Sequence, residues 1–179
     1  MTFFSPGLRF FHQGQFEGRT KRISPHLVRG PDEPVDERLK QFYDRLLAVL
    51  RRPGVRAGQW QLLDCASAWD GNSTWDCFVA FAWEGFGAER LLVTVNYAPH
   101  QSQCYVRLPF ADLSNSQWRL KDLLGDVRYD RDGDDLQAHG LYLDERAWSP
   151  RVFALTKVHG LQPTAASVAD RSRLAGAER

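Results

Sequence analysis

The densest carboxylate cluster in the chain is Asp130-Arg131-Asp132-Gly133-Asp134-Asp135. Alternating carboxylates suit a hard cation such as calcium. Counted from Asp130, however, the sixth position is Asp135, where a calcium loop requires Gly, and the twelfth is Leu141, where it requires Glu. The run therefore reads as an acidic hairpin turn made of ordinary turn residues, with calcium as a secondary option. His12 and Glu17 could exchange protons near neutral pH if burial raised the carboxylic acid. No third group stands in sequence to position them, so hydrogen bonding within a loop accounts for both. His26, His100, His139 and His159 are scattered without metal-ligand spacing. Cys65, Cys77 and Cys104 have no neighbouring base and read as buried structural thiols. No residue is assigned to catalysis, to a metal or to a cofactor.

Aromatic residues offer a different chemistry, because their faces pack against the apolar faces of pyranose rings. The candidates are Trp60, Trp69, Trp75, Trp83, Trp118 and Trp148, with Tyr97, Tyr105 and Tyr142. Trp75 and Trp83 share a strand face with Phe81 and are expected in the core. Trp69, in Ala68-Trp69-Asp70-Gly71-Asn72, falls in a loop and is the expected carbohydrate-binding residue. Asn72-Ser73-Thr74 matches a glycosylation acceptor, but no secretory signal is visible and the match is treated as chance.

The elements that would hold these residues follow from periodicity. Val35, Leu39, Phe42, Tyr43, Leu46, Val49 and Leu50 recur at spacings of three and four, which predicts an amphipathic helix over 34–52. Asp32 or Glu33 is its expected cap, and Pro53-Gly54 ends it. Residues 3–11 read as a short strand broken at Pro6-Gly7, followed by a polar glycine loop. Strands are predicted over 59–65, 75–83, 89–97, 102–108, 117–124, 126–130, 140–144 and 151–158. One face of the second carries Trp75, Cys77, Val79, Phe81 and Trp83, and one face of the third carries Leu91, Val93, Val95 and Tyr97. Gly85-Phe86-Gly87 joins these two as an antiparallel hairpin. Successive short strands imply a β-sandwich or barrel. The segment 159–179 turns to Ala, Ser, Arg and Gly and reads as a disordered tail.

Charge and cysteine count exclude several roles. The chain has 179 residues, and 23 Lys and Arg against 22 Asp and Glu leave a net charge of +1. That lacks the basic excess needed to neutralise a phosphate backbone, so no nucleic-acid partner is expected. No apolar run is long enough to span a membrane. Three cysteines without paired spacing point to reduced thiols in a cytoplasmic protein.

Several segments in order resemble the alpha-amylase family of glycoside hydrolases. Phe4-Ser5-Pro6-Gly7-Leu8-Arg9-Phe10-Phe11-His12-Gln13-Gly14-Gln15 is similar to the end of that family's catalytic barrel, although Phe16 separates Gln15 from Glu17 where the family has the pair adjacent. Residues 42–52 resemble the last barrel helix, and Arg90-Leu91-Leu92-Val93-Thr94-Val95-Asn96-Tyr97 resembles a strand of the C-terminal β domain. Asp122-Leu123-Leu124-Gly125, then 141–143 and 152–155, continue the order.

The resemblance implies one strand and one amphipathic helix from a (β/α)8 barrel over 1–55 and an antiparallel Greek-key β-sandwich over 56–158. It also implies α-glucan metabolism, with a barrel-containing polypeptide or N-terminal domain as partner and an α-glucan as ligand. The family's three catalytic carboxylates lie on earlier barrel strands and map to no residue here. Glycoside hydrolysis with retention needs two carboxyl groups about 5–5.5 Å apart on rigid supports, and one strand with one helix cannot close a barrel. The chain is therefore expected to be structural, not catalytic by itself. The alternative is a stand-alone carbohydrate-binding or interaction module.

Overall fold

The structure is a computed structural model that describes residues 2–21, 26 and 29–158. The expected tail over 159–179, with His159, lies outside the described residues. Among the described residues nine strands form two antiparallel sheets. In chain order they are β1 (Gln59–Leu63), β2 (Cys65–Ala66), β3 (Phe78–Glu84), β4 (Arg90–Asn96), β5 (Ser102–Val106), β6 (Gln117–Asp122), β7 (Arg128–Asp132), β8 (Leu141–Glu145) and β9 (Pro150–Val158). The larger sheet has the order β1-β3-β4-β9-β6-β7 and the smaller the order β2-β5-β8. The helices are α1 (Glu37–Leu50), α2 (Pro53–Ala57) and α3 (Gly133–Ala138). Mainly β architecture and antiparallel pairing agree with the sequence, and the β3–β4 hairpin pairs Phe78 with Asn96 through Glu84 with Arg90, as its glycine turn predicts. The run predicted over 59–65 divides at Asp64, where the chain passes from one sheet to the other.

The larger sheet is the middle of three layers. Its inner face, including Phe78, Ala80, Ala82, Leu92, Leu120 and Phe153, packs against Cys104, Val106, Leu141 and Leu143 of the smaller sheet. Its outer face, with Phe81, Trp83, Leu91, Val93 and Val152, is covered by Phe4, Leu46, Val49, Leu50 and Val55. The alternating residues of β4 thus enter two different cores, and all seven are buried. A strand enclosed on both faces reads as a continuous apolar run, as Leu91-Leu92-Val93 does. The indole N–H of Trp83 donates to the Phe4 carbonyl (2.7 Å), which ties the outer layer to the sheet.

Four expectations are corrected. Residues 3–11 form no strand: Thr2–Phe4 is a 3₁₀ turn, and Gly7 adopts φ +115°. Arg9 instead holds the segment by donating to the carbonyls of Phe3 (2.7 Å) and Val55 (2.9 Å). The α1 cap is Asp36, whose Oδ1 accepts the N–H groups of Arg38 and Leu39, both at 3.0 Å. Glu33 accepts the N–H groups of Thr20 and Lys21, and these bonds hold its carboxyl below the usual range.

The acidic run is no hairpin turn. Asp132 caps α3 by accepting from Asp134 and Asp135, and a Cβ on Gly133 would strike the Leu113 carbonyl. Trp75 lies in a 3₁₀ turn (Thr74–Cys77) and is exposed, because β3 begins only at Phe78. Among the described residues no helix is long and apolar enough to cross a membrane.

Candidate functional site

Three connections meet at one end of the sandwich: 67–77 between β2 and β3, 97–101 between β4 and β5, and 146–149 between β8 and β9. Each carries exposed aromatic rings. Tyr97 is 67%, Trp148 56% and Trp69 53% exposed, and Trp75 is exposed as well. The topology gathers them, since β2, β4 and β8 end and β3, β5 and β9 begin at this end.

Buried polar groups fix these connections. Asn96, wholly buried, donates from Nδ2 to the carbonyls of His100 (2.8 Å), Glu145 (3.0 Å) and Arg146 (2.9 Å). Its Oδ1 accepts the Ala98 N–H. One side chain therefore clamps the connections 97–101 and 146–149 together. The Trp148 N–H donates to the Ala98 carbonyl (3.1 Å), and the Tyr97 N–H to the Cys77 carbonyl (2.8 Å), which joins the third connection. Below Trp148, Arg151 bridges Glu145 (3.0 Å) and Asp122 (3.0 Å), and Ser149 Oγ donates to Glu145. Burial works against the Arg151 charge, but its bonds to Glu145 and Asp122 outweigh that and raise its pKa.

Trp69 is held by a separate network. Asn72 Oδ1 accepts the Ala68 N–H, and its Nδ2 donates to Thr74 Oγ1 (3.1 Å). Thr74 Oγ1 in turn accepts the Gln103 N–H (2.9 Å). Asn72 is buried and committed to this turn, so the glycosylation triplet is structural.

Beyond Gln103, its amide and that of Gln101 both donate to Asp144 Oδ1, at 3.0 and 2.7 Å. On the same strands Tyr105 and Tyr142 pair across the register with ring centroids 5.5 Å apart. Partial burial, then the nearby Asp144 carboxylate, raise the Tyr142 phenol above its usual pKa. An open groove of about 320 Å³ beside the Trp69 connection is lined by Leu62, Asp64, Trp75 and Asp76 among others.

The remaining candidates do not converge. Asp130 is bidentate to Arg119 at 2.8 Å, Asp134 accepts the Asn115 N–H, and Asp135 pairs with His139 (2.8 Å). Each carboxylate of the acidic run thus has its own partner. Among the described residues no group of three His, Cys, Asp or Glu side chains could hold a metal ion. His12 Nδ1 contacts the Gln13 carbonyl, and no hydrogen bond joins it to Glu17.

Of the thiols only Cys104 is fully buried, and Cys65 and Cys77 are half-buried, which corrects their expected burial. The Cys104 thiol is pushed well above its usual range by its hydrogen bond with Cys65 and by burial. The loop position of Trp69 was legible from its Asp-Gly-Asn turn, but not that Tyr97 and Trp148 lie in connections at the same end. The signal was present in Tyr97-Ala98-Pro99 and Trp148-Ser149-Pro150, aromatics set beside proline turns.

The fold defines an antiparallel two-sheet protein with a helical third layer. No protein-family model matches the chain, and a search of curated proteins finds none similar to it.

Proposed function

We propose that this chain is the C-terminal β domain of an alpha-amylase-type enzyme of α-glucan metabolism, acting structurally by seating its N-terminal layer against a catalytic barrel. The observation that carries the reading is the two-sided character of that layer. Phe4, Leu46 and Val49 are buried on the sheet, yet Leu8 is 95% and Phe10 72% exposed on the same segment, with Val35 and Phe42 exposed nearby. An aliphatic and aromatic patch of this kind marks a protein interface more than a monomer surface. A cavity of about 140 Å³ lies between Phe42 and Leu46 of α1 and Leu124 and Pro150. The passage of the chain between sheets after β4 and β8 supports the Greek-key reading.

Sedimentation velocity of the 179-residue chain tests the patch. Concentration-dependent self-association that the pair Leu8→Asp and Phe10→Asp abolishes is expected. A wild-type chain that stays monomeric at high concentration overturns the interface.

A second reading, a carbohydrate-binding module, is favoured by Trp69. Its ring is exposed on a turn that Asn72 and Thr74 hold rigid, and rigid aromatic anchors suit sugar faces.

A further inference from the structure

Trp148 combines three features that no other tryptophan brings together. Its backbone sits at φ +55°, a left-handed conformation that strains a non-glycine residue and persists only where the surroundings impose it. Its ring is more than half exposed. It also meets an exposed Tyr97 ring edge-on, with centroids 5.3 Å apart and planes at 89°. The surroundings that impose this conformation are the Asn96 amide, which holds the Arg146 carbonyl, and the Ala98 carbonyl, which holds the Trp148 N–H. The strained backbone thus holds an apolar ring toward solvent rather than in the core.

The polar ends of the two rings distinguish them from core aromatics. The indole N–H groups of Trp83 and Trp118 donate to the carbonyls of Phe4 and Leu113. Among the described residues the Trp148 indole N–H and the Tyr97 hydroxyl have no such partner. The corner therefore offers two apolar walls at right angles and two free hydrogen-bonding groups.

We propose that the Tyr97–Trp148 corner binds a neutral oligosaccharide, one pyranose ring stacking in the corner and the chain continuing toward Trp75 and Trp69. A sugar ring matches the site because its C–H-rich face stacks on an aromatic wall while its hydroxyls meet the free donors. The composition of the exposed apolar residues separates this end from the N-terminal patch. Here they are Trp69, Trp75, Tyr97 and Trp148, beside the amides of Gln101 and Gln103. The N-terminal patch mixes aliphatic Leu8 and Val35 with its phenylalanines. The Tyr97 N–H bond to the Cys77 carbonyl sets the corner beside the Trp75 turn, toward which the proposed sugar chain extends. Longer oligosaccharides bind more tightly than disaccharides. The inference rests on the accessory-domain reading only for the choice of α-1,4 probes.

Isothermal calorimetry on the 179-residue chain tests it, with maltose, maltoheptaose and cellohexaose as probes. Saturable binding is expected, with Tyr97→Ala and Trp148→Gly each weakening the tightest probe about tenfold. Glycine accepts φ +55° without strain, so Trp148→Gly removes the ring while leaving the turn intact. Phe86→Ala, at the β3–β4 turn, leaves affinity unchanged. No heat with any probe at millimolar concentration, or affinity that survives both corner substitutions, overturns the site. Either failure leaves the N-terminal interface standing, because that interface is read from self-association.

Discussion

Arg90 shows how one side chain makes part of the stability of the fold depend on pH. It is buried, with its guanidinium over the rings of Phe110 (4.7 Å) and Trp118 (5.0 Å), and it donates from Nη2 to Asp112 (2.6 Å). Its Nε and Nη1 have no hydrogen bond, and the Glu84 carboxylate stands at 3.4 Å. The bond from Arg90 holds the Asp112 carboxyl below its usual range. A carboxyl lowered in the folded state contributes stability above its unfolded pKa of about 3.9, and that contribution disappears as pH falls through the folded value. Asp112→Asn is therefore expected to lower the melting temperature at neutral pH. The gap from wild type closes as the pH drops below about 4. Thermal melts across pH check this, and a gap that stays constant down to pH 2 contradicts it.

Among the elements, the hairpin and the long helix were legible in the sequence because their patterns are local. Gly85-Phe86-Gly87 between two apolar runs specifies β3 and β4, and spacings of three and four specify α1. Trp75 was misassigned because alternation was extended through Thr74–Cys77, where a 3₁₀ turn interrupts the period. Residues 3–11 looked like a strand because an apolar run does not reveal whether a sheet edge is available to pair with it. The convergence of Trp69, Tyr97 and Trp148 was invisible for a related reason: it depends on which strands end together, which only the topology fixes.

Asn96 carries that convergence, and its loss leaves three carbonyls and the Ala98 N–H without their partner at a buried position. Asn96→Ala is expected to cost about 3 kcal/mol in urea unfolding, since each buried polar group left unpaired costs roughly 1–3 kcal/mol. A loss below about 1 kcal/mol would show that the clamp is dispensable.

At the scale of the molecule, the exposed apolar residues lie in two regions. The N-terminal layer seals the outer face of the larger sheet and leaves Leu8 and Phe10 exposed, while the loop end exposes Trp69, Tyr97 and Trp148. The order of elements, an amphipathic helix ahead of a run of strands, was legible in the sequence; that the helix covers the outer face of the larger sheet was not. We propose that a catalytic barrel packs against the N-terminal layer, and sequencing the genomic DNA and transcript upstream of Met1 tests this. An in-frame coding stretch of strand–helix repeats with Asp and Glu at strand ends is expected. Stop codons in every frame, with a transcript that begins just before Met1, would contradict it.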